Sequence, residues 1–222
     1  HFDRILASCE GLPPMRTAVA APEDLNSLGG ALMAREHGLI EPVLIGSKMR
    51  MEAVAREMGK SLDGVEIIDE SNHSAACAKS VALVHEGKVG AVMKGKVHSD
   101  ELLTHVTKRD GGLRTNRRVS HVFVMDVPGL ETLLLVSDAA INISPDLESK
   151  VHITQNAIDL AQSLGMDQPR VGVLSAVETV NTKIPSTIDA AVLSKMADRG
   201  QITGGVVDGP LAMDNAMDVE AA

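Results

Sequence analysis

VGVLSAVETVNTKIPSTIDAAVLSKMADRGQITGGVVDGPLAMDN, residues 171–215, contains two successive units, each an apolar strand followed by a polar loop and a helix. The runs VGVLSA and ITGGVV are short and apolar, which is typical of parallel strands that are buried on both faces. The loops after them hold most of the local polarity, and ligands of open α/β sheets bind beyond the carboxyl ends of the strands. This stretch therefore predicts an α/β fold and a site at its strand ends.

The same alternation fills the first hundred residues. Short apolar runs lie at 17–22, 42–47, 65–69 and 89–95, and helical patterns lie between them at about 24–38, 48–59 and 72–86. Strands that alternate with helices of this length predict βαβ units and a parallel sheet covered by helices on both faces.

The connectivity changes in the middle of the chain. Residues 118–127 and 131–141 are separated by Pro128-Gly129, a strong turn signal, and predict an antiparallel pair. A long amphipathic helix is expected at about 146–164, with Gly165 as its stop. We expect two domains, a first α/β domain over residues 1–120 and a second over residues 121–222.

Composition limits the function classes. The formal charge of -9 argues against a protein that binds nucleic acid without regard to sequence, and the 1% aromatic content leaves almost no side chains that could stack on bases. Cys9 and Cys77 have no metal-like or redox spacing, and no apolar run is long enough to span a membrane. We therefore expect a cytoplasmic protein with no membrane partner. The motifs GxGxxG, GxxxxGK[ST], GxSxG and HExxH are all missing from the sequence.

Two clusters of positive charge are candidate anion sites. In VMKGKVHSDELL, residues 92–103, Lys94, Lys96 and His98 precede a helix that Ser99 is expected to cap, and a helix N-terminus favours anions. In GGLRTNRRVSH, residues 111–121, the three arginines present planar forks that suit phosphate or carboxylate. These are Arg114, Arg117 and Arg118. The alternatives are a solvated helix cap and surface ion pairs, respectively.

Other polar residues have readier structural explanations. Ser120 and His121 are neighbours on a strand and point to opposite faces, so they do not form a nucleophile and base pair. We expect Asp138 and Asn142 to shape the site or the fold. Ser186, with Asp189 three residues later, is typical of a helix cap. The segment Asp208-Gly209-Pro210 predicts a tight turn, whereas Glu178, Asn181 and Lys183 have no such explanation.

Several blocks together resemble the phosphate acetyltransferase and phosphate butyryltransferase family. They are MKGKVHSDELL, GLRTNRRVSHVFVMDVP, DAAINISPDLESKVHITQNAIDLA, LSAVETVNTKIPSTIDAAVLSKMADRGQI and VVDGPLAMDNA, and they span nearly the whole chain in the right order. The likeness is greatest to the C-terminal part of bifunctional enoyl-CoA hydratase/phosphate acetyltransferase proteins.

The resemblance implies a two-domain α/β/α fold, like that of isocitrate and isopropylmalate dehydrogenases, with a cleft between the domains. It implies reversible transfer of an acetyl or other short acyl group between coenzyme A and inorganic phosphate, with acyl-CoA as substrate, no permanently bound cofactor and no metal. It also implies a homodimer, and it allows a fused enoyl-CoA hydratase domain. Seven residues become expected substrate or phosphate contacts, namely Lys94, His98, Arg114, Arg117, Arg118, Ser120 and His121. Three more become an expected cleft wall, namely Asn181, Ser186 and Thr187.

The family's catalytic serine, arginine and aspartate lie in a C-terminal segment that returns to the first domain. No block before Ala222 matches that segment, so we expect those residues beyond Ala222 and expect this stretch alone to lack a complete active site. Two other functions remain open at this point. One is a metal-dependent decarboxylating dehydrogenase of the same fold, and the other is a non-catalytic module that binds acyl-CoA or acyl phosphate.

Overall fold

The computed structural model of the chain describes residues 1–217 and divides into two compact units. Residues 8–116 form one unit, and residues 1–7 together with those from Arg117 onward form the other. The described elements, in chain order, are α1 (Phe2–Ser8), β1 (Met15–Ala20), α2 (Leu25–Glu36), β2 (Ile40–Gly46), α3 (Lys48–Glu57), β3 (Glu66–Asp69), α4 (His73–His85), β4 (Ala91–Lys94), α5 (Ser99–Val106), β5 (Val122–Met125), β6 (Leu134–Ser137), α6 (Leu147–Ser163), β7 (Arg170–Leu174), α7 (Pro185–Asp198), β8 (Val206–Leu211) and α8 (Met213–Met217). No helix among residues 1–217 is both long and apolar enough to cross a membrane.

The unit of residues 8–116 contains a four-stranded sheet in the order β3-β2-β1-β4. All neighbouring strands are parallel, and Ala18 of β1 pairs with Val43 of β2 on one side and Val92 of β4 on the other. Each of the first three strands is followed by a helix before the next strand begins. The predicted βαβ units and parallel sheet are therefore confirmed.

Helices cover both faces of this sheet. Val19 and Leu44 pack on one face against Leu28 of α2 and Met51 of α3, and all four side chains are fully buried. Ala18, Val43 and Ile45 point to the other face, where they pack against Ala76 and Leu83 of α4. Successive strand residues alternate between faces, so one apolar run supplies both cores.

The three crossover helices begin where the sequence supplies a capping side chain. Asp24 accepts a hydrogen bond from the Ser27 backbone N–H at 2.7 Å, and Asn72 accepts one from Ala75 at 2.9 Å. Ser47 makes the equivalent, longer contact at the start of α3. Each of these oxygens satisfies one of the N–H groups that a helix start leaves without an intrahelical partner. The helix starts are thus determined locally, next to the carboxyl ends of the strands.

The unit that continues from Arg117 begins with the antiparallel pair β5 and β6, in which Phe123 lies opposite Val136. Gly129 in the connection has a positive φ of 92°, a conformation that glycine adopts without a steric penalty. Helix α6 follows, capped by Asp146, and Gly165 comes just after its end. The antiparallel pair, the turn and the long helix are all confirmed.

The prediction for residues 171–215 needs two corrections. Strands β7 and β8 are parallel, as expected, but β7 has no buried residue and alternates between exposed and partly buried positions. Within residues 1–217 each of these strands pairs with the other alone, and one face of the pair covers the core of Ile158, Leu193 and Ile202. The expectation of burial on both faces is therefore wrong.

The second correction concerns the start and end of β8. Residues 202–205, predicted as strand, precede it: Thr203 exchanges two hydrogen bonds with the Gln155 side chain, at 2.9 Å each, in place of a strand partner. The predicted tight turn Asp208-Gly209-Pro210 lies inside β8, where Asp208 pairs with Gly172. A β-carbon added to Gly209 would come within 2.8 Å of the Val173 carbonyl oxygen, so the glycine permits close strand pairing.

Candidate functional site

The sheet topology of the unit of residues 8–116 marks the carboxyl ends of β1 and β4 as its candidate ligand crevice. From β1 the chain passes through α2 and α3 to β2 and β3 on one side, whereas β4 arrives through α4 on the other side. Connections that leave adjacent strands in opposite directions open a crevice at the carboxyl ends, and ligands of open α/β sheets bind there. The loops at 21–24 and 95–98 border this crevice, and the second contains Lys96 and His98.

Backbone contacts hold these two loops together. The Gly95 N–H donates to the Ala20 carbonyl at 2.8 Å, and the Lys96 N–H donates to the Ala21 carbonyl at 2.7 Å. Ala21 is fully buried and has a φ of 50°, which costs energy for a residue with a β-carbon and persists only when its surroundings impose it. A β-carbon on Gly95 would lie 2.4 Å from both carbonyl oxygens, so only glycine fits there. The base of the crevice is therefore closely packed backbone.

The predicted anion ligands at this edge have different surroundings. Lys94 directs its Nζ to the Val97 carbonyl oxygen at 2.9 Å and to that of Gly95 at 3.3 Å, so its charge lies against its own loop. His98 is exposed and occupies the N-cap position of α5 without a side-chain capping bond. The expectation that Ser99 caps this helix is wrong, since the helix begins at Ser99. A ligand role for Lys94 and His98 stays a prediction.

Glu23 is a polar residue of this edge that the sequence reasoning missed. Its side chain is 2% exposed, and its carboxylate accepts hydrogen bonds from the Ser47 backbone at 2.8 Å, from Arg50 Nη1 at 2.8 Å and from His73 Nε2 at 3.1 Å. Burial raises the pKa of this carboxyl, but the bonds from Arg50, Ser47 and His73 outweigh it and hold the pKa below its usual value. Glu23 thus joins the end of β1 to the starts of α3 and α4. A carboxylate directly after a buried strand was the available signal.

The three predicted arginines do not belong to one unit. Arg114 lies in the unit of residues 8–116, whereas Arg117 and Arg118 lie in the other. All three are exposed. Within the second unit the structure brings Arg117, Arg118 and Ser120 together around Asn156 of α6.

Asn156 organises this arginine cluster, defined here as Arg117, Arg118 and Ser120. Its Nδ2 donates to the Arg118 carbonyl oxygen and to Ser120 Oγ, both at 2.9 Å, and its Oδ1 accepts from Arg117 Nη1 at 3.1 Å. Arg117 Nη1 also donates to Asp159 at 3.0 Å. Arg117 is therefore ion-paired to α6, which matches the structural alternative for this residue.

Arg118 is held in a different way. Its Nε donates to Asn142 Oδ1 at 2.8 Å, and Asn142 Nδ2 donates to the Val119 carbonyl oxygen at 3.0 Å and to Asp138. The pKa of Asp146 is lowered mainly by the hydrogen bonds from Ser149 and to a smaller extent by the charge of Arg118. Among residues 1–217, no carboxylate lies within ion-pair distance of the Arg118 guanidinium.

Asp138 shapes the loop that carries Asn142. Its carboxylate accepts backbone hydrogen bonds from Ala140 at 3.0 Å, Ile141 at 3.1 Å and Asn142 at 3.2 Å. Burial raises the pKa of Asp138, yet the hydrogen bonds from Asn142, Ala140 and Ile141 hold it below its usual value. Asp138 is thus ionised and holds the backbone of residues 140–142 in place. This agrees with the structural or site-shaping role expected from the sequence.

The predicted cleft-wall residues Asn181, Ser186 and Thr187 lie around the start of α7. Thr187 is fully buried, and its hydroxyl donates to the Ile184 carbonyl oxygen at 2.7 Å and accepts from the Asn181 N–H at 2.9 Å, so it closes the turn. Ser186 Oγ lies 2.7 Å from Ser175 Oγ, just beyond the end of β7. The expected capping pair is wrong: Ile184 is the N-cap residue, and Asp189 accepts from Lys150 at 2.5 Å. The cleft-wall role of Asn181, Ser186 and Thr187 stays a prediction.

His121 has a packed environment. Its ring meets Phe123 edge-on, with the ring centroids 4.4 Å apart, and its carbonyl oxygen accepts from Ser137 Oγ at 2.8 Å. Its Nδ1 is buried without a hydrogen-bond partner within residues 1–217. No sequence pattern indicated this ring contact, and a phosphate role for His121 stays a prediction.

An open groove of about 400 Å³ runs along α2, but it contains none of the predicted site residues. It is lined by Leu25, Asn26, Gly29, Gly30, Met33, Glu36, Met58 and Lys60. No group of three or more His, Cys, Asp or Glu side chains among residues 1–217 is arranged to hold a metal ion.

Comparison with known proteins adds an independent line of evidence. A family model described as "Phosphate acetyl/butaryl transferase" matches residues 73–222. A phosphate acetyltransferase of Rhizobium meliloti is 55% identical over 221 residues, which cover 100% of this chain and 70% of that protein. One of Rickettsia prowazekii (strain Madrid E) is 49% identical over 223 residues, covering 100% of this chain and 64% of that protein. A branched-chain phosphotransacylase from Enterococcus faecalis V583 has a similar solved structure, with a TM-score of 0.75 and 25% identity over 93% of this chain and 72% of that one.

Proposed function

The chain belongs to the phosphate acetyltransferase and phosphate butyryltransferase family, and from this we propose that the protein transfers an acetyl or other short acyl group reversibly between coenzyme A and inorganic phosphate. The observation that carries the proposal is 55% identity to a phosphate acetyltransferase along the full chain. The chain spans 70% of that relative and 64% of the Rickettsia relative, so the activity is proposed for the full-length protein.

The reaction requires a nucleophile, a proton acceptor and positive charge. In the direction of acyl-CoA formation, the coenzyme A thiol loses its proton to a base and the thiolate attacks the carbonyl carbon of the acyl phosphate. A carbon–sulfur bond forms, the bond between the carbonyl carbon and the bridging oxygen breaks, and phosphate leaves with the electron pair. Negative charge develops on the departing phosphate in the transition state. Cationic side chains held next to that phosphate stabilise the charge and lower the activation barrier of the transfer.

Arg118 is our leading candidate for the phosphate contact. Its Nε is occupied by Asn142, which leaves the Nη1 and Nη2 end to face a ligand, and the paired N–H groups of that end match two phosphate oxygens. Arg117 shares Nη1 between Asn156 and Asp159, and this ion pair competes with an incoming anion. We propose further phosphate or substrate contacts from Arg114, Lys94, His98, Ser120 and His121. We also propose a cleft wall formed by Asn181, Ser186 and Thr187.

The finer features belong to the same proposal. We propose the dehydrogenase-like two-domain arrangement, a homodimer, a cytoplasmic location and coenzyme A as a substrate that is released after each turnover. A fused enoyl-CoA hydratase domain and catalytic residues outside this stretch are also consistent with the family resemblance. The division at Asn116 and Arg117 lies close to the domain boundary proposed from the sequence.

A thiol-release assay tests the activity. Full-length protein is incubated with acetyl-CoA in phosphate or arsenate buffer, and free coenzyme A is detected with a thiol reagent, with butyryl-CoA in parallel. We expect release that depends on phosphate or arsenate. No release from either acyl-CoA would refute the proposal, and tight binding without turnover would favour the non-catalytic alternative.

A matched pair of variants tests the arginine assignment. We expect Arg118→Ala to raise the KM for phosphate at least tenfold, because a charged hydrogen-bonding pair is lost at the ligand. Arg117→Ala removes the same charge one residue away, and we expect a smaller change in that KM, because this arginine is bound to Asp159. Equal effects of the two variants would contradict the assignment.

A further inference from the structure

We propose that Asn142 is a positioning residue that orients Arg118, so that the Nη1 and Nη2 end of the guanidinium faces the phosphate. The expected change in the KM for phosphate rests on the proposed function. The hydrogen bonds that position Arg118 are observed within residues 1–217 and do not depend on it. Asn142 acts through Arg118 and needs no contact with the substrate.

The orientation of the Asn142 amide is determined by its neighbours. Its Nδ2 faces two acceptors, the Val119 carbonyl oxygen at 3.0 Å and the Asp138 carboxylate. An amide nitrogen donates and an amide oxygen accepts, so the amide must place Oδ1 on the opposite side. Arg118 Nε donates to that oxygen at 2.8 Å. If the amide were flipped, Asn142 Nδ2 would face the Nε–H of Arg118, donor against donor. Asn142 Oδ1 would then face the Asp138 carboxylate, acceptor against acceptor.

Asp138 fixes the backbone position of Asn142. Its carboxylate accepts three successive N–H groups, from Ala140, Ile141 and Asn142, and the same carboxylate receives the Asn142 side chain. The lowered pKa of Asp138 has the same origin: burial opposes ionisation and the hydrogen bonds from Asn142 and the backbone outweigh it. An ionised Asp138 can only accept, which excludes the flipped amide.

The consequence for Arg118 follows from the geometry of its side chain. A guanidinium presents paired N–H groups either along the edge formed by Nε and one terminal nitrogen or at the end formed by both terminal nitrogens. Asn142 occupies Nε, so the end remains for a bidentate contact with phosphate. Holding Nε also reduces the rotamer freedom that an exposed arginine would lose on binding.

A double-mutant cycle tests this. In the full-length enzyme, we expect Asn142→Ala to raise the KM for phosphate about tenfold, the loss expected when one hydrogen bond of a charged group is removed. We expect Asn142→Ala to have no further effect in an Arg118→Ala background and its whole effect in an Arg117→Ala background. The KM for coenzyme A should change less in each case. Independent effects of Asn142 and Arg118 would overturn the proposal, since residues that do not interact give additive changes.

The hydrogen bond between Arg118 Nε and Asn142 can also be tested without enzyme activity. The exchange of the Arg118 Nε–H proton with water can be followed by nitrogen-15 NMR, with Arg118→Lys identifying the signal. We expect exchange to be slowed in the parent protein and several-fold faster in Asn142→Ala. Unchanged exchange would refute the positioning role. An inactive full-length protein would refute the proposed function instead and leave this result to decide on Asn142.

Discussion

Replacing Glu23 by Gln tests how strongly one buried carboxylate holds the crevice edge together. Oε1 of Glu23 accepts from Ser47 and Oε2 accepts from Arg50 and His73, whereas a glutamine has only one acceptor. Either orientation of the amide therefore sets an NH₂ group against the Ser47 N–H or against Arg50. A hydrogen bond to a charged group contributes about 1.5–3 kcal/mol, and breaking a buried ion pair costs about 3–5 kcal/mol.

We expect a loss of about 3 kcal/mol in the free energy of unfolding, near the lower end for a broken buried pair, because water can take the place of the lost partner. Arg50 is 54% exposed, so its guanidinium can be rehydrated, whereas Glu23 is 2% exposed. Hydrogen exchange on peptides from β1 and β2, measured by mass spectrometry, reports the opening free energy of this unit alone.

Glu36→Gln is the matched control. Glu36 pairs with Lys60 at 2.5 Å in the same unit, but both side chains are exposed, and exposed pairs add little to stability. We expect no resolvable change in exchange for this variant. Equal protection in Glu23→Gln and Glu36→Gln would refute the argument that burial gives Glu23 its importance.

The same reasoning predicts a pH dependence. Burial opposes ionisation of Glu23, and the bonds from Arg50, Ser47 and His73 outweigh it, so the folded pKa lies below the usual value. A carboxyl with a depressed folded pKa stabilises the fold above its unfolded pKa, and this stabilisation is lost as the pH falls through the folded pKa. The stability difference between the parent and Glu23→Gln should therefore be full at pH 7 and shrink below about pH 4.3. A constant difference across that range would contradict the ionised assignment.

Four further predictions concern packing and capping, each measured by urea unfolding of the full-length protein followed by circular dichroism. Gly95→Ala should cost about 3 kcal/mol by overpacking, because its β-carbon would lie 2.4 Å from the Ala20 carbonyl oxygen. Gly30→Ala, in the middle of α2 with its nearest contact at 3.6 Å, should instead stabilise by about 0.5–1 kcal/mol, and a loss there would contradict the packing argument. Asn72→Ala should cost about 1 kcal/mol through the lost cap of α4, and no change would show that the cap is dispensable. Ile158→Ala should cost about 2–5 kcal/mol because the side chain is fully buried, and a loss below 1 kcal/mol would contradict its place in the core.

The sheet of residues 8–116 could be predicted because its signals are local. Apolar runs and helical spacing predicted strands at 17–22 and 42–47, and the structure has them at Met15–Ala20 and Ile40–Gly46. A strand buried on both faces is apolar throughout, and the capping side chain of a helix lies next to it in the chain. The burial prediction failed for β7, which has one strand neighbour within residues 1–217 and no buried residue, because a strand with a single neighbour need not be buried on both faces.

The site depended on contacts between residues far apart in the chain. Glu23 bonds Arg50 and His73, which lie 27 and 50 residues away, and no spacing rule connects them. Arg117 and Arg118 are adjacent in the sequence, and nothing in the sequence distinguishes their partners. In the structure Arg117 binds Asp159 and Arg118 binds Asn142. These partners come from α6 and from the loop after β6.

Sequence alone determined the family, the α/β class, the parallel sheet of the first unit and the place of positive charge, because periodicity and residue type are properties of short segments. Only the tertiary structure decided which arginine is paired with a carboxylate and which is bound to an amide, namely Arg117 with Asp159 and Arg118 with Asn142. The reason is physical: the availability of a guanidinium depends on which carboxylates and amides reach it, and folding brings those groups from distant elements. The same holds for Glu23, whose ionisation depends on donors at the starts of α3 and α4.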